Sequence, residues 1–168
     1  MRADDLALLF AYNAWANHRV LDAASRVTPE QWTQPAGLSH GSLRGAMVHV
    51  LSPEYVWRTR CQDNVFPRAP LSEHDFPALA SLRERWQDEE AKLLAYVNSL
   101  DDEALSRVVR YQSTTGVSRE TPLWQVLVHV VNHGTQFRGE AALALTRYGH
   151  SPGNLDFMHW LRERAPPS

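Results

Sequence analysis

Residues 121–149 read TPLWQVLVHVVNHGTQFRGEAALALTRYG, and the apolar positions Leu123, Val126, Leu127, Val130, Phe137, Ala141, Leu145 and Tyr148 return at helical intervals. On a helix of 3.6 residues per turn they form one continuous stripe. Thr121 and Pro122 supply an N-cap followed by a proline in the first helical position, and Gly149 suits the residue just past the end. A stripe of this length has to be covered, and three other segments can cover it. Asp5 to Ser25 places Leu6, Leu9, Phe10, Asn13, Ala16, Val20 and Leu21 at three- and four-residue spacing. Ser42 caps a second helix from about Leu43 to Cys61, built on Ala46, Met47, Val50, Leu51, Tyr55 and Trp57. Pro53 sits inside it and cannot bond the carbonyl of His49, which predicts a kink or bulge. Pro77 to Ser99 forms a third helix, with Leu79, Leu82, Trp86, Leu93, Tyr96 and Val97 facing inward. With residues 121–149 these segments predict an all-α fold, a four-helix bundle with long connections.

The connections carry signals of their own. Thr28-Pro29-Glu30-Gln31 is a capping box that opens a short helix, and Pro35 ends it. Asn64 to Pro77 holds Pro67, Pro70 and Pro77 and reads as a loop. Asp101 to Ser106 suits one further turn. Val108 to Tyr111 and Gly116 to Ser118, flanking Ser113-Thr114-Thr115, predict a small β-hairpin before the last long helix. A short helix is expected at Leu155 to Arg164. With 168 residues and no repeat or linker, the chain is expected to be a single domain over 1–168.

Composition narrows the function classes. Lys and Arg total 17 against 19 Asp and Glu, a net charge of -2, which provides no footprint for nucleic acid or an anionic membrane. The one cysteine, Cys61, excludes an internal disulfide and any multi-cysteine zinc site. Met1-Arg2-Ala3-Asp4-Asp5 is acidic where a leader would turn apolar, and no apolar run nears a bilayer span. A soluble, cytoplasmic protein is expected.

Chemistry rests on the histidines. His129 and His133 stand four residues apart, close enough on one helix face to meet a single ion. His133 lies at the edge of the apolar arc and His129 further round, towards Gln125 and Gln136. His49 falls among Met47, Val48, Val50 and Leu51, a neighbourhood that suits a hydrogen-bonded core histidine or a ligand. His18 reads as a surface residue, and His40, His74, His150 and His159 as solvated. Nucleophile elbows, phosphate loops, dinucleotide turns and His-Glu-x-x-His are absent. Glu54 and Glu140 read as solvent-facing carboxylates, and Cys61 as an inert thiol near a helix end.

Tyr12-Asn13-Ala14-Trp15-Ala16-Asn17, His49, the run Asn132-His133-Gly134-Thr135-Gln136-Phe137-Arg138-Gly139-Glu140, and Tyr148-Gly149-His150-Ser151-Pro152-Gly153 follow one another in the chain. In that order they resemble the DinB family of DNA-damage-inducible four-helix-bundle proteins, over nearly the whole length. The resemblance implies a divalent ion, usually zinc or nickel, held by one histidine of the second helix and two of the fourth. By position His49 matches the first and His133 the second. The third falls at residue 137, where this chain has Phe137, and His129, one turn earlier, is the substitute. Three arrangements follow: His49, His129 and His133 form a displaced site; His49 and His133 hold an ion with water or a carboxylate; or the ion is lost. Relatives in the wider superfamily are bacillithiol or mycothiol S-transferases and a mycothiol-dependent maleylpyruvate isomerase, and many members have no established activity. The resemblance therefore implies a metal-dependent thiol S-transferase whose partners are a small-molecule thiol and an electrophile, and homodimerisation through helix faces. The alternative is a non-catalytic stress-response or small-ligand-binding module, with Phe137 filling the third-ligand position and Trp15, Trp57, Trp86 and Trp124 as pocket walls.

Overall fold

The computed structural model describes residues 1–67, 69–113 and 115–165; Arg68, Thr114 and residues 166–168 lie outside that range. The long helices are α1 (Ala3–Ala24), α3 (Leu43–Gln62), α4 (Leu79–Asn98) and α6 (Leu123–Arg147). Shorter ones are α2 (Pro29–Thr33), α5 (Asp102–Ser106) and α7 (Phe157–Arg164). The strands β1 (Pro35–Leu38) and β2 (Gly41–Ser42) pair antiparallel, as do β3 (Val108–Gln112) and β4 (Ser118–Pro122). The chain is mostly helical, and each long helix packs on two others: α1 on α6 and α4, and α3 on α6 and α4.

Local signals account for most boundaries. Thr28 and Gln31 form a reciprocal capping box, and the Ser42 hydroxyl accepts from the Gly45 N–H. Gly149, at φ +82°, takes the left-handed conformation that ends α6. Helix α3 runs from Leu43 to Gln62 with Pro53 inside it. One boundary is corrected. Thr121 is not the cap of α6, because the pairing of β3 with β4 continues to Val108 and Pro122 and keeps the backbone extended through Pro122. The β1–β2 hairpin, absent from the sequence reading, turns at Ser39 and His40.

The core consists of two apolar clusters. One gathers Val20 and Leu21 of α1, Leu43, Met47 and Leu51 of α3, Leu82 and Trp86 of α4, and Ala141 and Leu145 of α6. The other gathers Leu6, Phe10 and Ala16 of α1, Cys61 of α3, Leu93 and Val97 of α4, and Leu123, Leu127 and Val130 of α6. Helices α1 and α6 pass from the second cluster to the first, whereas α3 and α4 pass from the first to the second. Hence α3 is antiparallel to α6 and parallel to α4, and the α3–α4 connection has to travel the length of the bundle. The Leu71 N–H, in that connection, donates to the buried Ser52 hydroxyl of α3 at 3.0 Å.

Between the clusters each long helix contributes buried polar groups: Asn13 and Asn17, Glu54 and Arg58, Glu89, and Arg138. The Arg138 guanidinium donates to Asn13 Oδ1 and Asn17 Oδ1 at 2.5 and 2.8 Å. Both asparagine amides donate in turn to Glu54 Oε1, at 2.7 and 2.9 Å. The two charges fix which way each amide points. Glu54, expected to face solvent, is thus 1% exposed, because two asparagine amides of α1 donate to it in the core and the Arg138 charge of α6 lies near. Burial pushes its carboxyl above the usual carboxylate range, and the two amides and Arg138 oppose that shift. Burial likewise lowers the Arg138 guanidinium, against the attraction of Glu54. Gly134 makes the arrangement fit, since a Cβ there would lie 2.7 Å from Arg138 Nη1.

Candidate functional site

Helix α6 places His133 and Phe137 one residue before Gly134 and Arg138, so the polar layer that docks α6 on α1 and α3 also sets what its next face presents. His133 meets His49 of α3 there: their Nε2 atoms are 3.1 Å apart and their ring centres 4.8 Å apart. One ring donates its N–H to the lone pair of the other. Burial, and then the charge of neighbouring imidazoles, lowers both rings to about 4, so both are neutral near pH 7. His133 Nδ1 is buried and has no hydrogen-bond partner. Its tautomer is therefore set by the His49 side alone.

A third imidazole stands beside this pair. His40, read as solvated from sequence, stacks on His49 with ring centres 3.5 Å apart and an interplanar angle of 21°. The β1–β2 hairpin brings it there. A Cβ on Gly45 would fall 2.1 Å from the His40 carbonyl oxygen, so only glycine lets the hairpin lie against the first turn of α3. Glu140 of α6 anchors the other side, accepting from the Ser39 N–H and hydroxyl at 3.0 and 2.7 Å. Those bonds hold its carboxyl below the ordinary value, with a smaller contribution from His40 and His49. The signal for His40 was its flanking by Gly37 and Gly41, both at positive φ, the usual marks of a tight turn.

Phe137 occupies the remaining side, with its ring centre 4.3 Å from His49, 4.5 Å from His133 and 5.2 Å from His40. His129 lies one turn back along α6, ring centre 5.7 Å from His133 and 6.1 Å from Trp57, and burial lowers its pKa. The structure therefore brings His49 and His133 into contact and leaves His129 on the same wall without converging on them. Among the described residues no three His, Cys, Asp or Glu side chains converge as ligands. His40 does not complete a trio in its present pose, because nearly parallel stacked rings direct their in-plane lone pairs along separate planes.

These residues open onto a cavity of about 790 Å³, which His40, His49, His129, His133, Trp57 and Arg60 help to line. Of the four tryptophans considered as walls, only Trp57 lines it, and Trp86 lies in the core. Cys61 is buried with its thiol pushed up to about 11, which removes it as a nucleophile. His18 is exposed and pairs with Glu90 at 2.8 Å. No helix among the described residues is long and apolar enough to cross a membrane.

The chemistry of the donors suits a divalent ion. Both imidazoles are neutral, and two nitrogen ligands on one tetrahedral zinc stand about 3.3 Å apart, given Zn–N distances of about 2.0–2.1 Å. The 3.1 Å separation of His49 and His133 is close to that value. The model of the DinB family matches residues 1–166. Protein DinB of Bacillus subtilis (strain 168) is 25% identical over 162 residues, which cover 89% of each chain.

Proposed function

The chain belongs to the DinB family, and on that premise we propose that it is a divalent-metal-binding protein in which His49 and His133 are the ligands and water or a carboxylate completes the coordination, the arrangement in which His129 is not a ligand. The observation that carries this reading is the approach of two neutral imidazole nitrogens from antiparallel helices to 3.1 Å. Two burial-neutralised rings facing each other are prepared for a cation that takes the place of the shared proton. When bound, zinc or nickel supplies Lewis acidity that keeps a coordinated thiol ionised near neutral pH.

The chemistry proposed is transfer of a small-molecule thiol to an electrophile. The thiol comes from a cosubstrate, in keeping with a buried Cys61 held protonated. Phe137 shields one side of the histidine pair from water, and Trp57 with His129 forms the wall along which a substrate approaches. The test is metal analysis of protein loaded with micromolar Zn²⁺ or Ni²⁺ and then dialysed. The expected content approaches one ion per chain, falling at least about tenfold in His49→Ala and His133→Ala. Wild-type protein that retains less than about 0.1 ion per chain refutes the proposal.

A second reading is favoured by Phe137, whose ring packs on three imidazoles where a further ligand would be needed. In that reading the protein is a non-catalytic module that holds an apolar ligand in the cleft. Thermal shifts separate the two, because only a ligand of the folded state raises Tm. A rise with apolar compounds and none with metals selects the module.

A further inference from the structure

The cleft that holds the histidines also contains a cation that no carboxylate among the described residues neutralises. Arg60 of α3 is half-buried, and its guanidinium lies 4.9 Å from the Trp57 ring centre and 5.9 Å from that of Phe66. Its Nε is buried without a hydrogen-bond partner. Other arginines near the cleft and in the core are paired: Arg44 with Glu73, Arg58 and Arg85 with Glu89, and Arg110 with Glu120. Among the described residues no carboxylate pairs with Arg60. Among the described residues the one acid that lines the 790 Å³ cavity, Glu73, is already held by Arg44 at 3.2 Å. Partial removal from water lowers the guanidinium pKa, and only a thiol and a phenol, those of Cys61 and Tyr111, lie near enough to oppose it. A partly desolvated charge without a counter-ion is costly, and an anionic ligand removes the cost.

The wall leading to Arg60 is aromatic. Trp57 stands 6.1 Å from the His129 ring and 4.9 Å from both the Arg60 guanidinium and the Tyr111 ring. We infer that Arg60 and Trp57 form a recognition subsite for a small organic carboxylate, whose apolar body lies along Trp57 and Tyr111 and whose far end reaches the His49–His133 pair. The planar fork of a guanidinium matches a carboxylate in two parallel hydrogen bonds. The aromatic wall favours an acid with an apolar body over a strongly hydrated inorganic anion. Recognition at Arg60 is independent of any metal; only the direction in which the ligand points rests on the function proposed above.

The test uses metal-free protein, prepared by dialysis against a chelator, titrated calorimetrically with 3-phenylpropionate and with its neutral amide. The acid should bind wild type at least about tenfold more tightly than the amide, since the difference is a charge-assisted pair. Arg60→Gln should abolish that preference, Arg60→Lys should keep part of it, and Arg110→Gln, altering a pair on the neighbouring rim, should leave it intact. Arg60→Gln should melt no lower than wild type, because it removes an unpaired charge; if it does not fold, the Arg60→Lys comparison decides. Equal binding of acid and amide by wild type, survival of the preference in a folded Arg60→Gln, or tighter binding of inorganic phosphate than of the acid each overturns the inference. Zinc content of the same preparations is read separately, so loss of the metal reading leaves this result standing, and the reverse.

Discussion

Replacing glycine by alanine at two positions of α6, five residues apart, should have opposite effects. Both changes add helix propensity, about 1 kcal/mol in an exposed helix interior. At Gly139, which is exposed with nothing within 4 Å of an added Cβ, that gain is the whole effect. Gly139→Ala should therefore stabilise by about 0.5–1 kcal/mol and raise Tm by about 1–4 °C for a chain of this size. At Gly134 the new Cβ would lie 2.7 Å from Arg138 Nη1 and 3.0 Å from Asn13 Oδ1. The guanidinium must then retreat from the oxygens of Asn13 and Asn17, and at 2% exposure Arg138 has no water to replace them. Hydrogen bonds to a charged group are worth about 1.5–3 kcal/mol each, so losing one and straining the other outweighs the propensity gain. The net expectation for Gly134→Ala is a loss of about 2 kcal/mol and of about 4–8 °C in Tm. Urea titration and thermal melts of both variants beside wild type measure this directly. If Gly134→Ala stabilises the protein as Gly139→Ala does, the buried Arg138–Asn–Glu54 layer does not dock α6 in the way described.

Phe137→His puts an imidazole where the phenyl centre now stands 4.3 and 4.5 Å from His49 and His133, and should raise zinc affinity by at least about tenfold in competition with a chelating dye; unchanged affinity counts against a metal centre between those rings. In metal-free protein the lowered histidines make stability pH-dependent. Because their folded values, about 4, lie below the unfolded 6.5, their contribution is complete above about pH 6.5 and is lost as pH falls from there towards 4. The shift is worth ~3 kcal/mol per ring at full weight and about 1–2 kcal/mol for the pair after allowing for solvent access. Urea midpoints between pH 7.5 and 4.5 should fall more steeply for wild type than for His133→Gln, and parallel curves would contradict the assignment. Cys61, buried with its thiol near 11, should react with iodoacetamide at pH 8 at least about a hundredfold faster in urea than in the native state; equal rates would show an accessible thiol.

Helix positions were legible because their causes are local. The stripe from Leu123 to Tyr148, the capping box at Thr28 and the Ser42 cap depend on residues within a few positions of one another. His49 and His133 could be paired from sequence through helix position and family resemblance. Their contact depended on α3 running antiparallel to α6, which the passage of each helix between the two apolar clusters establishes. The hairpin that carries His40 was hidden by its brevity: four residues of β1 and two of β2 have too little alternation to register as strand.

What the chain determined by itself was a set of amphipathic helices, their caps and breaks, and the kinds of donor available on each. Periodicity says which face of a helix is apolar, and it says nothing about which polar residue on the next helix will meet it. Tertiary structure decided that Glu54 lies buried beneath two asparagine amides, that His40 rests on His49, that Phe137 packs against both histidine ligands proposed for the ion, and that Arg60 has no carboxylate partner among the described residues. Each of these depends on distances between residues remote in sequence, which only the relative rotation and direction of packed helices can set.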